Sequence, residues 1–337
     1  MKLGSYFLRR LLLLIPLLFG LSLLTFTVSR ILPGDPVGLA AGPQATEEIK
    51  ESLRKEFGLD KPLPVQYLSY IGNLFRGEWG QSLYSRREVA SDLKVYFPAT
   101  LELTLAAILF AGIFGTLLGV VSALNRNKLP DHLARVVVLF FVSFPAFWLA
   151  MMFQLVFGLA LDWFPIGKRL NILMTPPQTI TGLYLLDSIL TWNWKAFRMA
   201  AWHLFIPALV LSFGALASIT RITRANMLEA LDKDFVRMER ALGMPDRVVI
   251  FKYVLRNAFI ATLTIIALEF GWLMAGAVLV ETIFDWPGLG LYIVESSLRL
   301  DFQPIMGITI IYGIVFSLVN IFTDMAYGLL DPRIRYG

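Results

Sequence analysis

Six long apolar segments run along the chain and are separated by polar stretches of unequal length. A helix needs about 20 mostly apolar residues to cross a bilayer, and each segment reaches or approaches that length. The predicted spans are residues 11–29, 100–124, 136–161, 203–219, 259–280 and 305–330. The pattern therefore predicts an all-α integral membrane protein with six transmembrane helices.

The composition agrees with a membrane protein and excludes several other classes. Hydrophobic residues make up 57% of the 337 residues, and charged residues make up 16%, against about 25% in ordinary soluble domains. The mean hydropathy is +0.66. The chain has no cysteine, which excludes a disulfide scaffold. It also shows no basic face on a soluble fold, so no nucleic-acid partner is expected.

The first apolar segment, which follows Arg9 and Arg10, predicts an uncleaved membrane anchor. Its apolar run is longer than the roughly 7–15 residues of a signal peptide. No small-x-small cleavage site follows, because the chain continues directly into Arg30-Ile31-Leu32-Pro33. Residues 1–30 are therefore expected to form a cytoplasmic N-terminus and the first transmembrane helix.

The distribution of lysine and arginine predicts the orientation. With the N-terminus inside, the cytoplasmic pieces hold 16 of these residues and the short outer loops hold 5. The other 9 lie in the long first loop and count little, because long loops translocate largely regardless of charge. Both termini are therefore expected in the cytoplasm.

Two polar segments are expected on the outer side. Residues 31–98 predict a small helical cap, with helices at 46–58 and 64–75. The first of these has Thr46 as a candidate N-cap and an apolar face of Ile49, Leu53 and Phe57. Residues 162–202 are rich in tryptophan, which is typical of a membrane interface, and predict a short helix at 183–190. A structural lid and a substrate-contacting role both remain open for these segments.

The segment 221–257 has a different character, with eight basic and five acidic residues. It predicts a helix over 226–241, a break at Gly243 and a second helix that starts at Pro245. Such a charged helix–turn–helix between two membrane spans suits the docking of a cytoplasmic partner. A solvated surface hairpin is an equally weighted alternative.

The residues of this segment resemble the EAA loop of bacterial ABC importer permeases. The resemblance rests on Asp234-Phe235-Val236-Arg237, Arg240-Ala241-Leu242-Gly243 and Leu255-Arg256-Asn257-Ala258. Glu239 departs from the general motif, which has a small residue at that position.

Four further stretches are similar to one branch of these permeases, which serves dipeptides, oligopeptides and nickel. Within that branch, they resemble the first membrane subunit of dipeptide importers. These stretches are Leu32-Pro33-Gly34-Asp35-Pro36, Ala99-Thr100-Leu101-Glu102-Leu103, Glu281-Thr282-Ile283-Phe284-Asp285-Trp286-Pro287-Gly288-Leu289-Gly290 and Asp331-Pro332-Arg333-Ile334-Arg335. The motif residues expected to be structural are Pro33, Gly34, Asp35, Pro36, Glu281, Pro287, Gly288 and Gly290. The resemblance covers essentially the whole chain.

The resemblance implies the type I permease fold of ABC importers and a specific assembly in a bacterial or archaeal plasma membrane. Residues 99–337 would form the permease core, paired with a second homologous permease, two ATP-binding subunits and an extracytoplasmic solute-binding protein. ATP and magnesium would be bound by the ATP-binding subunits, and no cofactor by this chain. The residues expected to couple to the ATPase are Asp234, Arg237, Glu239, Arg240, Ala241, Gly243 and Arg247.

The chain itself shows no motif for ATP hydrolysis or metal chemistry. No Gly-x4-Gly-Lys-[Ser/Thr] sequence occurs. His132 and His203 are the two histidines, and without cysteine they predict no zinc-type ligand cluster. The chain is therefore not expected to be an enzyme.

Charged residues within spans are candidates for the transport path. Glu269, about halfway along the fifth span, and Met274 are the candidates here, although Glu269 is also a candidate to pair with the second subunit. Asp324 is expected to pair with a basic residue such as Arg221, and Glu102 to be structural.

Alternatives remain for substrate and for class. The same branch also serves nickel, glutathione and oligosaccharides. A proton-coupled secondary transporter that uses Glu269 and Asp324 is a rival class, and a membrane scaffold or sensor without transport is another. The absence of an inverted repeat weakens the secondary transporter.

Overall fold

The structure is a computed structural model that describes residues 3–31, 36–42 and 44–330. Within these ranges the chain is helical, and a single β-bridge joins Gln81 and Glu88. The expected all-α class is confirmed. Pro33, Gly34, Asp35 and the C-terminal motif lie outside the described residues, as does the side chain of Pro36.

Fourteen α-helices follow one another in the described ranges. They are α1 Leu3–Ile31, α2 Pro36–Ala41, α3 Glu47–Glu56, α4 Leu63–Phe75, α5 Val89–Leu124, α6 Leu129–Val142, α7 Ala146–Phe153, α8 Tyr184–Leu190, α9 Trp194–Leu231, α10 Asp234–Ala241, α11 Asp246–Val248, α12 Leu255–Ile283, α13 Leu289–Leu298 and α14 Phe302–Leu330. Two π-helical segments, Gln154–Ala160 and Val249–Val254, continue α7 and join α11 to α12.

Five helical segments in the described ranges are long and apolar enough to cross a membrane, and there are six if the bent pair, Leu129–Val142 with Ala146–Ala160, forms one span. The five lie in α1, α5, α9, α14 and the continuous stretch from α11 through α12. Large apolar side chains are exposed along them, for example Leu24, Leu109 and Trp272. An apolar surface of this kind suits contact with lipid or a partner subunit.

The third span differs from its prediction as one continuous helix over 136–161. The chain bends by 95° between α6 and the helix that begins at Ala146. Pro145 is at the bend and lacks an N–H group, and it disfavours helical backbone at Phe144 before it. The hydropathy of this stretch is high on both sides, so the apolar pattern did not indicate the bend.

Helices α5 and α9 are among those that are longer than their predicted spans. Helix α5 begins at Val89 rather than at residue 100, and α9 covers residues 194–231 rather than 203–219. Asp92, in the first turn of α5, is buried and accepts a hydrogen bond of 2.9 Å from the Tyr292 hydroxyl. A buried helix can include a polar residue when a neighbouring element supplies its hydrogen-bond partner.

The predicted helix over 226–241 is also divided. Helix α9 ends at Leu231, and α10 begins at Asp234. The turn between them places Val236, which is fully buried, in a small core with Met227 and Val249. Burial of this apolar side chain explains why the chain turns instead of continuing straight.

The predicted helices outside the core are present. Thr46 caps α3 by accepting a hydrogen bond from the N–H of Ile49, and α8 lies where residues 183–190 were predicted. Of the expected apolar face of α3, Leu53 is buried, whereas Ile49 is exposed. The cap helix therefore uses a narrower apolar stripe than its sequence suggested.

Helices α5 and α9 pack closely at two glycines. An added Cβ at Gly115 would lie 3.0 Å from the side chain of Ile219, and one at Gly119 would lie 2.6 Å from the Thr223 Cβ and 2.9 Å from the Thr220 oxygen. Small residues allow such approach between membrane helices. On α12, by contrast, an added Cβ at Gly276 would meet nothing within 4 Å.

We predict that Gly119→Ala destabilises the protein by about 1–3 kcal/mol, because its methyl group overlaps backbone and a branched side chain. Gly214→Ala on α9, where an added Cβ meets nothing within 4 Å, is the matched control. It should be neutral or stabilising, since alanine favours a helix over glycine. Thermal unfolding in detergent measures both, and equal midpoints for the two variants would contradict the close packing.

Candidate functional site

A charged hairpin, residues 232–254, connects α9 to α12. It consists of α10, a turn at 242–245, α11 and the π-helical segment. The turn has Gly243 in the left-handed region, with φ of +78°, and its N–H donates to the Arg240 oxygen at 3.0 Å. Glycine adopts this conformation without the strain that a side chain adds. The break predicted at Gly243 is confirmed.

The root of the hairpin is buried in a small apolar core that joins four elements. Its members are Val120, Ala123, Met227, Ala230, Val236, Val249, Val254 and Ala258, from α5, α9, the hairpin and α12. Val236 and Val249 have no exposed surface. The hairpin is therefore packed onto α5, α9 and α12 rather than free in solvent.

The tip of the hairpin is exposed and carries most of the predicted coupling residues. Asp234, Arg237, Arg240, Ala241, Gly243 and Arg247 are exposed, and Glu239 is half-buried. Arg237 pairs with Asp234 at 3.5 Å, and Arg240 pairs with Asp246 at 3.0 Å across the turn. Exposed pairs of this kind contribute little to stability, so these charges can be offered to a partner at small cost.

Three apolar side chains beside these charges are exposed. Met238 is 60% exposed, Leu242 is 67% exposed and Phe251 is 58% exposed. Exposed apolar side chains next to charges are typical of a protein-binding surface. In the sequence, Leu242 directly precedes the turn glycine, Gly243, and this position was the available indication that its side chain is exposed.

At the opposite end of α12, a second arrangement is built around Glu281. Its carboxylate accepts hydrogen bonds from the Thr100 hydroxyl at 2.6 Å, the Gly290 N–H at 2.6 Å and the Leu291 N–H at 3.2 Å. Glu281 has no exposed surface. This Glu281 clamp, formed by Glu281, Thr100, Gly290 and Leu291, binds the start of α13, where the helix dipole favours a negative charge.

The glycines and tryptophan of the same motif fit around the clamp. An added Cβ at Gly288 would overlap the Glu281 carboxylate, and one at Gly290 would lie 2.8 Å from it. The Trp286 indole N–H donates to the Ala99 oxygen at 2.9 Å. Pro287, which lies between Trp286 and Gly288 in the sequence, is half-buried. The geometry of the motif is that of a tight buried turn that fastens α12 and α13 to α5.

A buried ion pair lies near this turn. Arg169 contacts Glu102 at 2.6 Å, and both side chains are about 5% exposed. Glu102 also accepts from the Leu185 N–H at 2.7 Å, while the Arg169 guanidinium lies 3.5 Å from the centre of the Tyr184 ring. The expectation that Glu102 is structural agrees with these contacts, although its partner Arg169 was not anticipated.

The two candidates for the transport path are not brought together. Met274 is buried, and its sulfur accepts from the Thr104 hydroxyl at 3.0 Å. It also lines an apolar cavity of about 470 Å³ between α1, α12 and α14. Glu269 is half-buried, does not line that cavity, and has no hydrogen bond or ion pair within the described residues. The predicted partner of Arg221, the side chain of Asp324, lies outside the described part of the chain.

No cluster of metal-binding side chains accompanies these features in the described ranges. Groups of three or more histidine or acidic side chains able to hold a metal are absent there. His203 contacts backbone oxygens of Gly167 and Lys168, and His132 contacts Arg135. The arrangement suits mechanical coupling between a surface hairpin and a buried turn.

We predict that Glu281→Gln destabilises the protein by about 1–3 kcal/mol. The amide keeps one acceptor oxygen but turns an NH2 group toward the donors of the clamp, so at least one buried donor loses its partner. Glu295→Gln on α13, at a half-buried position without a hydrogen bond in the described chain, is the control. Thermal unfolding in detergent measures the stability of both variants. An unchanged unfolding midpoint for Glu281→Gln would contradict a structural role of the clamp.

Comparison with known proteins gives full-length similarity. The family described as binding-protein-dependent transport system inner membrane component matches residues 115–336, and the N-terminal region of such membrane components matches residues 3–104. A di/tripeptide transport system permease protein of Pseudomonas aeruginosa (strain UCBPP-PA14) is 44% identical over 333 residues, which cover 98% of this chain and 99% of the relative.

Two relatives from Escherichia coli (strain K12) are similar over nearly the whole length. A probable D,D-dipeptide transport system permease protein is 42% identical, over 94% of each chain. A glutathione transport system permease protein is 36% identical, over 98% of this chain and 99% of the relative. The apolar helices agree with the multi-pass, inner-membrane location in the family's description. The chain therefore belongs to the family of inner membrane components of binding-protein-dependent transport systems.

Proposed function

We propose that this chain is one of two permease subunits of an ATP-driven importer for short peptides. The observation that carries the proposal is the charged hairpin, whose root is buried and whose tip is exposed. The names of the relatives, which refer to dipeptides, di/tripeptides and glutathione, support peptides as the substrate class.

In the proposed assembly, this chain pairs with a second homologous permease. Two ATP-binding subunits hold ATP and magnesium and dock on the charged hairpin, and a solute-binding protein delivers substrate to the outer side. Residues 31–98 form the outer cap, residues 99–337 the permease core and residues 221–257 the coupling region. ATP hydrolysis belongs to the partner subunits.

The packing of the hairpin suggests how a partner acts on the membrane helices. A force applied at Arg237, Ala241 or Arg247 reaches the apolar core at Val236 and Val249. Close-packed cores move as units rather than deform continuously. Displacement of the tip is therefore transmitted to α5, α9 and α12 together, which biases the helix bundle between two arrangements.

We predict that Gly243→Pro uncouples ATP hydrolysis from uptake. Proline fixes φ near −65°, whereas Gly243 has φ of +78°, and proline also removes the N–H that bonds to Arg240. In proteoliposomes with the complete importer, we expect uptake to fall at least tenfold while the chain remains inserted. Gly243→Ala, which keeps the N–H and has open space around it, should lose much less. Normal substrate-stimulated hydrolysis and uptake by the proline variant would count against the coupling role.

A second variant tests docking without changing the turn. Ala241 is exposed, so Ala241→Trp leaves the internal contacts of this chain in place and adds bulk only to the proposed interface. We expect unaltered thermal stability of the isolated chain but reduced recovery of the ATP-binding subunits on affinity purification. Full recovery together with full uptake would exclude close approach of a partner at Ala241. Transport without any ATP-binding subunit would instead favour an ion-coupled carrier.

A further inference from the structure

A polar cavity between the ends of α1 and α4 and the start of α14 is separate from the hairpin and the Glu281 clamp. Its volume is about 100 Å³. Four of its lining side chains each have a buried polar atom without a hydrogen-bond partner: Arg30 Nε, Gln66 Oε1, Tyr70 Oη and Gln303 Oε1. Buried polar groups are normally satisfied, so four such atoms around one cavity indicate an occupant that supplies both donors and acceptors.

The surroundings of the cavity carry separated charges. A wider cleft of about 380 Å³ adjoins it and shares the residues Phe57, Asn73, Glu78, Gly80 and Gln303. Arg30 and Lys61 line only the cavity, whereas Glu56 and Glu88 line only the cleft. The end of the cavity at Arg30 and Lys61, here called the inner end, is therefore positive. The outer end, in the cleft, is negative because of Glu78 and Glu88, whereas Glu56 there pairs with Arg86 at 3.5 Å.

The basic side chains at the inner end are available for a ligand. Neither Arg30 nor Lys61 has an ion pair within the described part of the chain. Burial, with the neighbouring Tyr67, raises the pKa of Tyr70, so its hydroxyl stays protonated and can donate. A guanidinium and a hydroxyl that both donate are suited to a carboxylate, with which charge-assisted hydrogen bonds are strong.

The outer end suits the opposite charge. The unpartnered oxygens of Gln66 and Gln303 accept hydrogen bonds, and Glu78 lines both the cavity and the cleft. An ammonium group has three donors and no acceptor. It therefore complements these groups, as a carboxylate complements Arg30 and Tyr70.

We propose that the cavity and cleft form a binding site for a zwitterion with an amino group and a carboxylate, namely a free amino acid or a short peptide. The carboxylate lies at Arg30 and Tyr70, and the ammonium group points toward Glu78. The cavity has the volume of about three water molecules, which admits the carboxylate end, and the cleft holds the rest. The inference concerns binding alone and does not depend on the proposed transport function.

Titration calorimetry tests the site on the full chain, purified in detergent with its associated permease and ATP-binding subunits, without nucleotide and without the solute-binding protein. The probes are glycine, glycylglycine, glycylglycinamide and N-acetylglycylglycine. We expect saturable binding of at least one of the first two, and at least tenfold weaker binding of both blocked peptides. Tighter binding of glycine identifies a free amino acid as the ligand, and tighter binding of glycylglycine identifies a peptide.

Two variants assign the binding to this cavity. Tyr70→Phe removes one oxygen but keeps the ring that stacks on Phe26, and Arg30→Gln removes the inner charge. Each should weaken binding about tenfold. Tyr84→Phe and Arg76→Gln, outside the cavity and the cleft, are the matched controls and should bind like the original chain.

The proposal is overturned by the absence of saturable zwitterion binding, by equal binding of the blocked peptides, or by unchanged binding in both Tyr70→Phe and Arg30→Gln. These outcomes are distinct from failure of the proposed function. Loss of ATP-driven uptake in the unmodified assembly would count against peptide import and would leave the calorimetric result standing.

Discussion

Buried carboxylates that accept hydrogen bonds from backbone N–H groups hold the helix ends of this protein in place. Five of them are found in the described residues: Glu102, Asp131, Asp187, Glu281 and Asp301. An unpaired backbone group is costly away from water, so irregular backbone in a membrane protein needs such partners. Glu102 and Asp301 reach partners 83 and 218 residues away in sequence, and thereby fix distant turns to the core.

Helix α12 connects the charged hairpin to the Glu281 clamp. It is 29 residues long, begins at the apolar root of the hairpin and ends beside the clamp. At 1.5 Å per residue, this helix spans about 43 Å, which exceeds the thickness of the hydrocarbon core. A displacement of the hairpin is thus carried by one stiff element to a turn that is itself fastened to α5 through Thr100. Rigidity at both ends gives the proposed coupling its physical basis.

Hydropathy predicted the apolar helices, because their apolar runs are long, and Gly243 with Pro245 predicted the turn of the hairpin. Hydropathy did not predict where α5 begins, since Asp92 looks like a polar boundary until Tyr292 is known to bond to it. The partner of Glu102 was equally hidden, because Arg169 lies in a loop with no spacing relation to α5. Local pattern identifies a polar residue, whereas only the fold identifies its partner.

The same distinction bears on Glu269. A charge inside a span is a functional candidate by default, yet the buried carboxylates of this chain are satisfied by backbone and side-chain donors and serve the fold. Glu269 differs, since it is half-buried on α12 and has no such donor in the described residues. An isolated carboxylate is costly in a bilayer, so its partner lies outside the described residues of this chain. The second permease subunit and the water-filled path of the proposed assembly are both such places, in contrast to the enclosed surroundings of Glu281.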